Sequence, residues 1–176
     1  MSRYLRSRAP GATWFFTVVL ADRTSGLLVT KIDLLRAAYG WVQRRHPFET
    51  IAVCVLPDHL HALWRLPEDD GDYALRWQQI KRAFSAECEP GLRGGSQAAR
   101  REKGIWQRRY WEHQIRDAKD LARHVDYIHF NPVKHGHVRQ VQDWPHSSFH
   151  RWVARGDLPA DWGWVRAAGD AAAYGE

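Results

Sequence analysis

Residues 48–66 read FETIAVCVLPDHLHALWRL, and the fold turns on them. Phe48 to Leu56 is a β-branched run of strand length, Pro57-Asp58 marks a short turn, and His59 to Leu66 reads as a second strand. The two are expected to pair as a hairpin. Upstream, Ala12 to Leu20 (ATWFFTVVL) is a further strand, followed by a turn at Ser25-Gly26. Thr30 with Asp33 has the spacing of a capping box ahead of Leu34, Leu35, Ala38 and Val42 at helical intervals. Pro47 restricts His46 and should end that helix near Arg45. Downstream, the acidic run Glu68 to Asp72 opens a helix whose Tyr73, Trp77, Ile80, Phe84 and Cys88 form one apolar stripe. Residues 90–104 are Gly-rich and basic and read as a mobile loop, and Ile105 to Arg116 as a fourth strand. Asp117 should cap a helix from about Ala118 to Asn131, stopped by Pro132. This order predicts an α+β fold: a ferredoxin-like split βαβ antiparallel sheet with two helices on one face, then an appended C-terminal helix and tail. One domain is expected over 1–176, its core about 12–131 and its tail about 132–176.

Composition bounds the function. The chain has 176 residues, 44% hydrophobic and 26% charged, enough for a core without metal or disulfide staples and too apolar for wholesale disorder. No run approaches ~20 apolar residues, so no membrane span is expected. The basic N-terminus lacks the apolar stretch of a secretory signal. Cys54 and Cys88 fit neither a disulfide framework nor a zinc spacing, and a cytoplasmic setting follows as the default. Net charge is +6, and the 12 Lys and Arg against 6 Asp and Glu between Arg76 and Arg123 carry all of it. Trp77, Phe84, Trp106, Tyr110 and Trp111 are interleaved with those charges. Cations neutralise phosphates and aromatic faces stack on unpaired bases, although a solvated basic face beside core aromatics has the same composition.

Two small constellations carry chemistry. His59 and His61 alternate on a strand, so their imidazoles point to one side, ~6.6 Å apart along the backbone. They suit either one metal ion or ordinary hydrogen bonding. In the last predicted helix, Leu121, Val125 and Ile128 define the apolar stripe, and Tyr127 lies roughly 125° from it, in line with Arg123 and Asn131. A phenol has a pKa near ~10 and attacks a phosphodiester poorly unless a divalent cation polarises the phosphate. Two histidines and an amide oxygen would leave positions open for substrate oxygens, with Arg123 offsetting charge nearby.

His59-Leu60-His61 resembles the His-hydrophobic-His signature of the HUH nucleases, and Tyr127 with Asn131 resembles their single-tyrosine subclass. Further blocks resemble the REP-associated tyrosine transposases: residues 56–61 (LPDHLH), 111–113 (WEH), 115–117 (IRD), 126–136 (DYIHFNPVKHG), and in the tail 144–145 (WP) and 147–150 (SSFH). The similarity runs in order from about Thr13 to Trp162. It implies cutting and rejoining of single-stranded DNA that carries REP-type hairpins, through a 5′-phosphotyrosine and a free 3′-hydroxyl. Tyr127 would be the nucleophile, and His59, His61 and Asn131 the metal ligands. Insertion-sequence relatives have Gln at the last position, one methylene longer. The resemblance favours Mg2+ or Mn2+, whereas imidazoles by themselves also suit zinc.

DNA recognition is assigned to the loop around Arg93, Arg100, Arg101 and Lys103, to the helix face of Lys81 and Arg82, and to Arg123. The tail tryptophans Trp144, Trp152, Trp162 and Trp164 could stack on bases or cover the sheet, covering being favoured. Three readings compete: a rolling-circle initiator or relaxase-type nickase, a domesticated non-catalytic hairpin-binding protein, and a zinc hydrolase. Monomer or homodimer, and use of Tyr127 on its own or a partner's metal, stay open.

Overall fold

The computed structural model describes residues 9–91 and 103–163. Its elements are β1 (Thr13–Val19), α1 (Leu27–Thr30), α2 (Ile32–Arg45), β2 (Glu49–Val55), β3 (His59–Arg65), α3 (Tyr73–Ala86), β4 (Trp111–Gln114), α4 (Ala118–Lys134), a 3-10 turn at Val141–Asp143, and α5 (Phe149–Arg155). The four strands form one sheet in the order β2-β3-β1-β4, every neighbouring pair antiparallel. A hairpin supplies the β2–β3 pair, with a bulge between Thr50 and Ala52. The helical crossovers place β1 between β3 and β4, which is the expected split βαβ sheet.

Alternation along the strands divides the core into two layers. Trp14, Phe16 and Val18 of β1 and Leu60, Ala62 and Trp64 of β3 pack against Leu35, Ala38 and Val42 of α2 and Tyr73, Trp77, Ile80 and Phe84 of α3. Phe15, Leu63, Ala52 and Cys54 face the opposite way, under Val125 and Ile128 of α4. α3 starts where Asp72 accepts a hydrogen bond from Leu75 N, and α4 where Asp117 accepts from Asp120 N.

Four expectations are corrected. Thr30 and Asp33 make no capping box: Thr30 ends the short α1, its hydroxyl donates to Gly26 O, and α2 begins after Lys31 with no side-chain cap. The fourth strand is four residues long instead of twelve, although Trp106 forms an isolated bridge with Leu20. Pro132 does not stop α4, which runs on to Lys134. Proline's fixed φ is itself helical, so the loss is one backbone hydrogen bond, which burial of the apolar Phe130 and Pro132 offsets. The tail also has structure of its own, in which Phe149 of α5 joins Phe130 and Val141 in a third cluster.

That tail closes the outer edge of β2. Val55 N donates to His146 O, Ser148 N donates to Val53 O, and the indoles of Trp144 and Trp152 donate to Val55 O and Ile51 O. Trp144 and Trp152 therefore cover the sheet. No helix among the described residues is long and apolar enough to cross a membrane.

Candidate active site

His59 and His61 are on the α4 side of β3, both buried, with ring centroids 4.9 Å apart. Each is oriented from behind. Asp58 Oδ1 accepts from His59 Nδ1 at 2.7 Å, which leaves the lone pair on Nε2. Burial opposes ionisation of Asp58, but its bonds to His59 and Arg23 outweigh that and hold its carboxyl below the usual range. His61 Nδ1 meets Thr17 Oγ1 at 3.0 Å, its cross-strand partner on β1. The hydroxyl can accept the Nδ1 proton, leaving the His61 lone pair on Nε2 as well. Burial, then the neighbouring His59 and His135, push His61 well below the ordinary histidine range, so its ring is neutral.

α4 lies across this face. Asp120 bonds His113 of β4, His124 packs on Phe15, and the Tyr127 ring sits edge-on to Phe15 and to His61 at 5.9 and 5.1 Å. His135 reaches the His59 ring at 5.2 Å, and Lys134 stands 5.1 Å over the Tyr127 ring. The helix thus turns a polar 3-4 stripe (120, 124, 127, 131, 134) toward the sheet, flanked by the apolar Leu121, Val125 and Ile128. This corrects the expectation that Tyr127 and Asn131 point away from the buried side. Asn131 has no exposure at all, and Tyr127 is half-buried against the second core cluster. Arg123 alone of that predicted line is exposed.

The donor set fits a divalent cation. His61 Nε2 and both polar atoms of the Asn131 side chain are buried without a hydrogen-bond partner. The Asn131 amide is near enough to oppose the His61 shift, yet no hydrogen bond closes between them. Buried polar atoms without partners are costly, and a cation held by two imidazole nitrogens and an amide oxygen relieves that cost. The Asp58–His59 pair is the carboxylate–histidine arrangement that commonly backs a metal ligand.

A REP-associated tyrosine transposase of Escherichia coli K12 is 52% identical to the chain over 162 residues, 92% of this chain and 91% of that protein. A Haemophilus influenzae Rd protein given the same family name is 50% identical over 165 residues, 93% of this chain and 94% of its own. The chain belongs to the REP-associated tyrosine transposase family. A solved structure of a REP-associated tyrosine transposase bound to a REP hairpin aligns with a TM-score of 0.82 at 49% identity, over 100% of this chain and 94% of that one. No family model matches the chain.

The basic residues singled out in the sequence fare unevenly. Arg82 is exposed on α3. Lys81 donates to Gln107 O and lies over the Trp106 and Tyr110 rings, and Lys103 donates to Ala86 O and Cys88 O at the end of α3. A cation there offsets the partial negative charge of a helix C-terminus. Arg76 is buried, paired with Asp70 and bonded to His46 O, Pro47 O and Asp72 O. Three of the basic residues counted in the sequence, Arg76, Lys81 and Lys103, are thus engaged within the fold. Arg93, Arg100, Arg101 and Trp164 lie outside the described residues.

Sequence reasoning missed Asp58, Thr17, Lys134 and His135 as parts of the site. Asp58 was legible as the carboxylate directly before His59, whereas Thr17 emerges from strand register alone. A second group also appeared: His113, Asp120 and His124 place ligand atoms within 4.8 Å of one another and could hold a metal ion. Arg116 already donates to Asp120 Oδ2 from both its guanidinium and its backbone, and that positive charge disfavours a second cation.

Proposed function

We propose that this protein is a divalent-metal-dependent single-stranded DNA endonuclease and strand transferase that acts beside REP-type hairpins through a 5′-phosphotyrosine. The observation that carries it is the Tyr127 ring 5.1 Å from the His61 ring, with the unpaired Asn131 amide one turn along the same helix. The family relative with a REP hairpin bound supports the substrate class.

A divalent ion, Mg2+ or Mn2+, held by His59, His61 and Asn131 would supply the charge that polarises the scissile phosphate. Asp58 and Thr17 hold the two rings at Nδ1, which would leave Nε2 of each for the ion. Tyr127 Oη attacks phosphorus, the bond to the 3′-oxygen breaks, and the phenolic proton ends on the departing 3′-hydroxyl. The phosphodiester bond energy is kept in the phosphotyrosine, and the reverse attack by a 3′-hydroxyl rejoins strands without ATP. Lys134 over the Tyr127 ring favours the phenolate that develops as the proton leaves. Because Tyr127 lies against His61 of its own chain, cleavage in cis is the reading the geometry favours. Both cysteines are free and buried, which suits a reducing cytoplasm.

The test is a hairpin oligonucleotide with single-stranded flanks, taken from the sequence around the gene, incubated with Mn2+ or Mg2+ and run on a denaturing gel. A covalent protein–DNA band is expected in wild type and absent with Tyr127→Phe or with chelator. Tight binding with no adduct would favour a domesticated hairpin-binding protein. Cleavage surviving in Tyr127→Phe would move the chemistry to metal-activated water.

A further inference from the structure

Among the described residues two large apolar side chains are well exposed, Trp41 at 43% and Trp111 at 53%. Trp41 is on α2, in the layer opposite the histidines, with Arg45 over its ring at 5.0 Å. Trp111 opens the edge strand β4, and strand register fixes its neighbours. Thr17 pairs with Trp111 on one side and with His61 on the other. Directly opposed residues project from the same face, so Trp111, Thr17 and His61 form one row. Two strand spacings put the Trp111 backbone ~10 Å from that of His61. Phe15 bridges the gap, touching Trp111 at 5.5 Å, His61 at 5.5 Å and Tyr127 at 5.9 Å.

A single surface tryptophan needs no explanation. This one is braced. Its ring runs parallel to His113, 3° between planes and 5.8 Å between centroids, and His113 stacks on His124 at 4.8 Å. Asp120 locks the column by accepting from His113 Nε2 at 2.8 Å while Arg116 Nε donates to the same carboxylate oxygen. The half-buried rings of His113 and His124 form the foot of an aromatic stack whose top, Trp111, is open to solvent.

We propose that Trp111 is the stacking platform for an unpaired base next to the phosphate that Tyr127 attacks. This rests on the strand-cleavage reading above and adds to it a residue that positions the single-stranded flank. An unpaired base presents a bare π-face, which a base inside the hairpin stem does not. Stacking of this kind tolerates any base, so the platform fixes where the strand lies and leaves sequence choice to other contacts. The braced ring loses little freedom when a base arrives.

The experiment measures affinity by fluorescence anisotropy, in a Tyr127→Phe background, for a hairpin with single-stranded flanks and for the same hairpin without them. Trp111→Ala should weaken the flanked DNA on the order of tenfold and leave the flankless hairpin within about twofold. Trp111→Phe should keep most of the affinity, and Trp41→Ala should change neither. An abasic site at the stacked nucleotide should reproduce the loss and add nothing to Trp111→Ala. Unchanged flanked affinity in Trp111→Ala, an equal loss on both DNAs, or no effect of any abasic site on the wild-type Trp111 protein would overturn the platform. The abasic scan needs no Trp111 variant, so misfolding of Trp111→Ala would not shield the proposal. The gel assay above tests cleavage separately: an adduct without a Trp111 effect rejects the platform alone. Flank affinity that depends on Trp111, with no adduct, supports the platform while rejecting the cleavage reading.

Discussion

The two faces of the sheet are built from the same strands and do opposite things. Toward α2 and α3, β3 sends Leu60, Ala62 and Trp64 into a layer of stacked rings, with Trp64 and Trp77 4.3 Å apart and 14° from parallel. Its Trp64 indole donates to Tyr39 Oη and Arg76 is fully engaged. Toward α4 the same strand sends His59 and His61 among buried atoms without hydrogen-bond partners. Both faces hold buried polar atoms without hydrogen-bond partners, the Trp14 and Trp77 indole nitrogens among them, but those toward α2 and α3 sit in an apolar layer, whereas those toward α4 are imidazole and amide atoms suited to binding. Period-two alternation lets one strand serve both, since neither face has to compromise for the other.

The largest expected separation comes from Tyr127→Phe. Adduct formation should fall by roughly a thousandfold or more, as for loss of other covalent nucleophiles, while urea stability stays within about 0.5 kcal/mol. An active Phe variant would break the division at its centre. Trp64→Ala should do the reverse, costing about 4 kcal/mol in denaturant unfolding. The folded fraction at low temperature should still form adduct, measured per folded molecule. Under the proposed cleavage in cis, mixing Tyr127→Phe with His59→Ala should give no adduct; recovered cleavage would mean exchange between protomers.

Smaller effects sharpen the contrast. Asp120 is depressed because Arg116 and His113 outweigh the cost of burying it. A carboxylate lowered in the fold contributes stability above its unfolded pKa, ~3.9, and that contribution is lost as pH falls through the folded value. Asp120→Asn should therefore cost about 1–2 kcal/mol at pH 7, with the difference from wild type shrinking below pH 4 in urea melts. Asn131→Leu should raise metal-free stability by about 1 kcal/mol, since it removes two unpaired buried atoms, and should abolish the thermal shift on adding Mn2+. A destabilised Leu variant would show that the amide serves the fold.

Much of the first face was legible in sequence because hydrophobic spacing reports burial in an apolar layer. The stripe of Tyr73, Trp77, Ile80 and Phe84 lies where its intervals put it. The His-x-His pair was legible for a similar reason, as alternation on a strand needs no tertiary knowledge. α4 was misread because the same rule sees only apolar burial. Its sheet-facing stripe is polar, so Tyr127 and Asn131 were assigned to the outside when they are packed against His61. Thr17 was invisible, because a hydroxyl that orients an imidazole 44 positions away appears only when the strands are in register. Pro132 and the supposed Thr30 cap were local signals overruled by packing.

The hydrogen bonds between tail and β2 carry a further consequence, in the order of synthesis. Chains emerge N-terminus first, and α4 is made before the segment that fixes it. His129 of α4 bonds Ser148 Oγ, which also accepts from Val53 N, so one late serine ties the tyrosine helix to the hairpin. Until that residue leaves the ribosome, β2 has an open edge and α4 lacks one of its anchors. The nascent chain therefore holds His59, His61 and Tyr127 in sequence but not in place until Ser148 has been made.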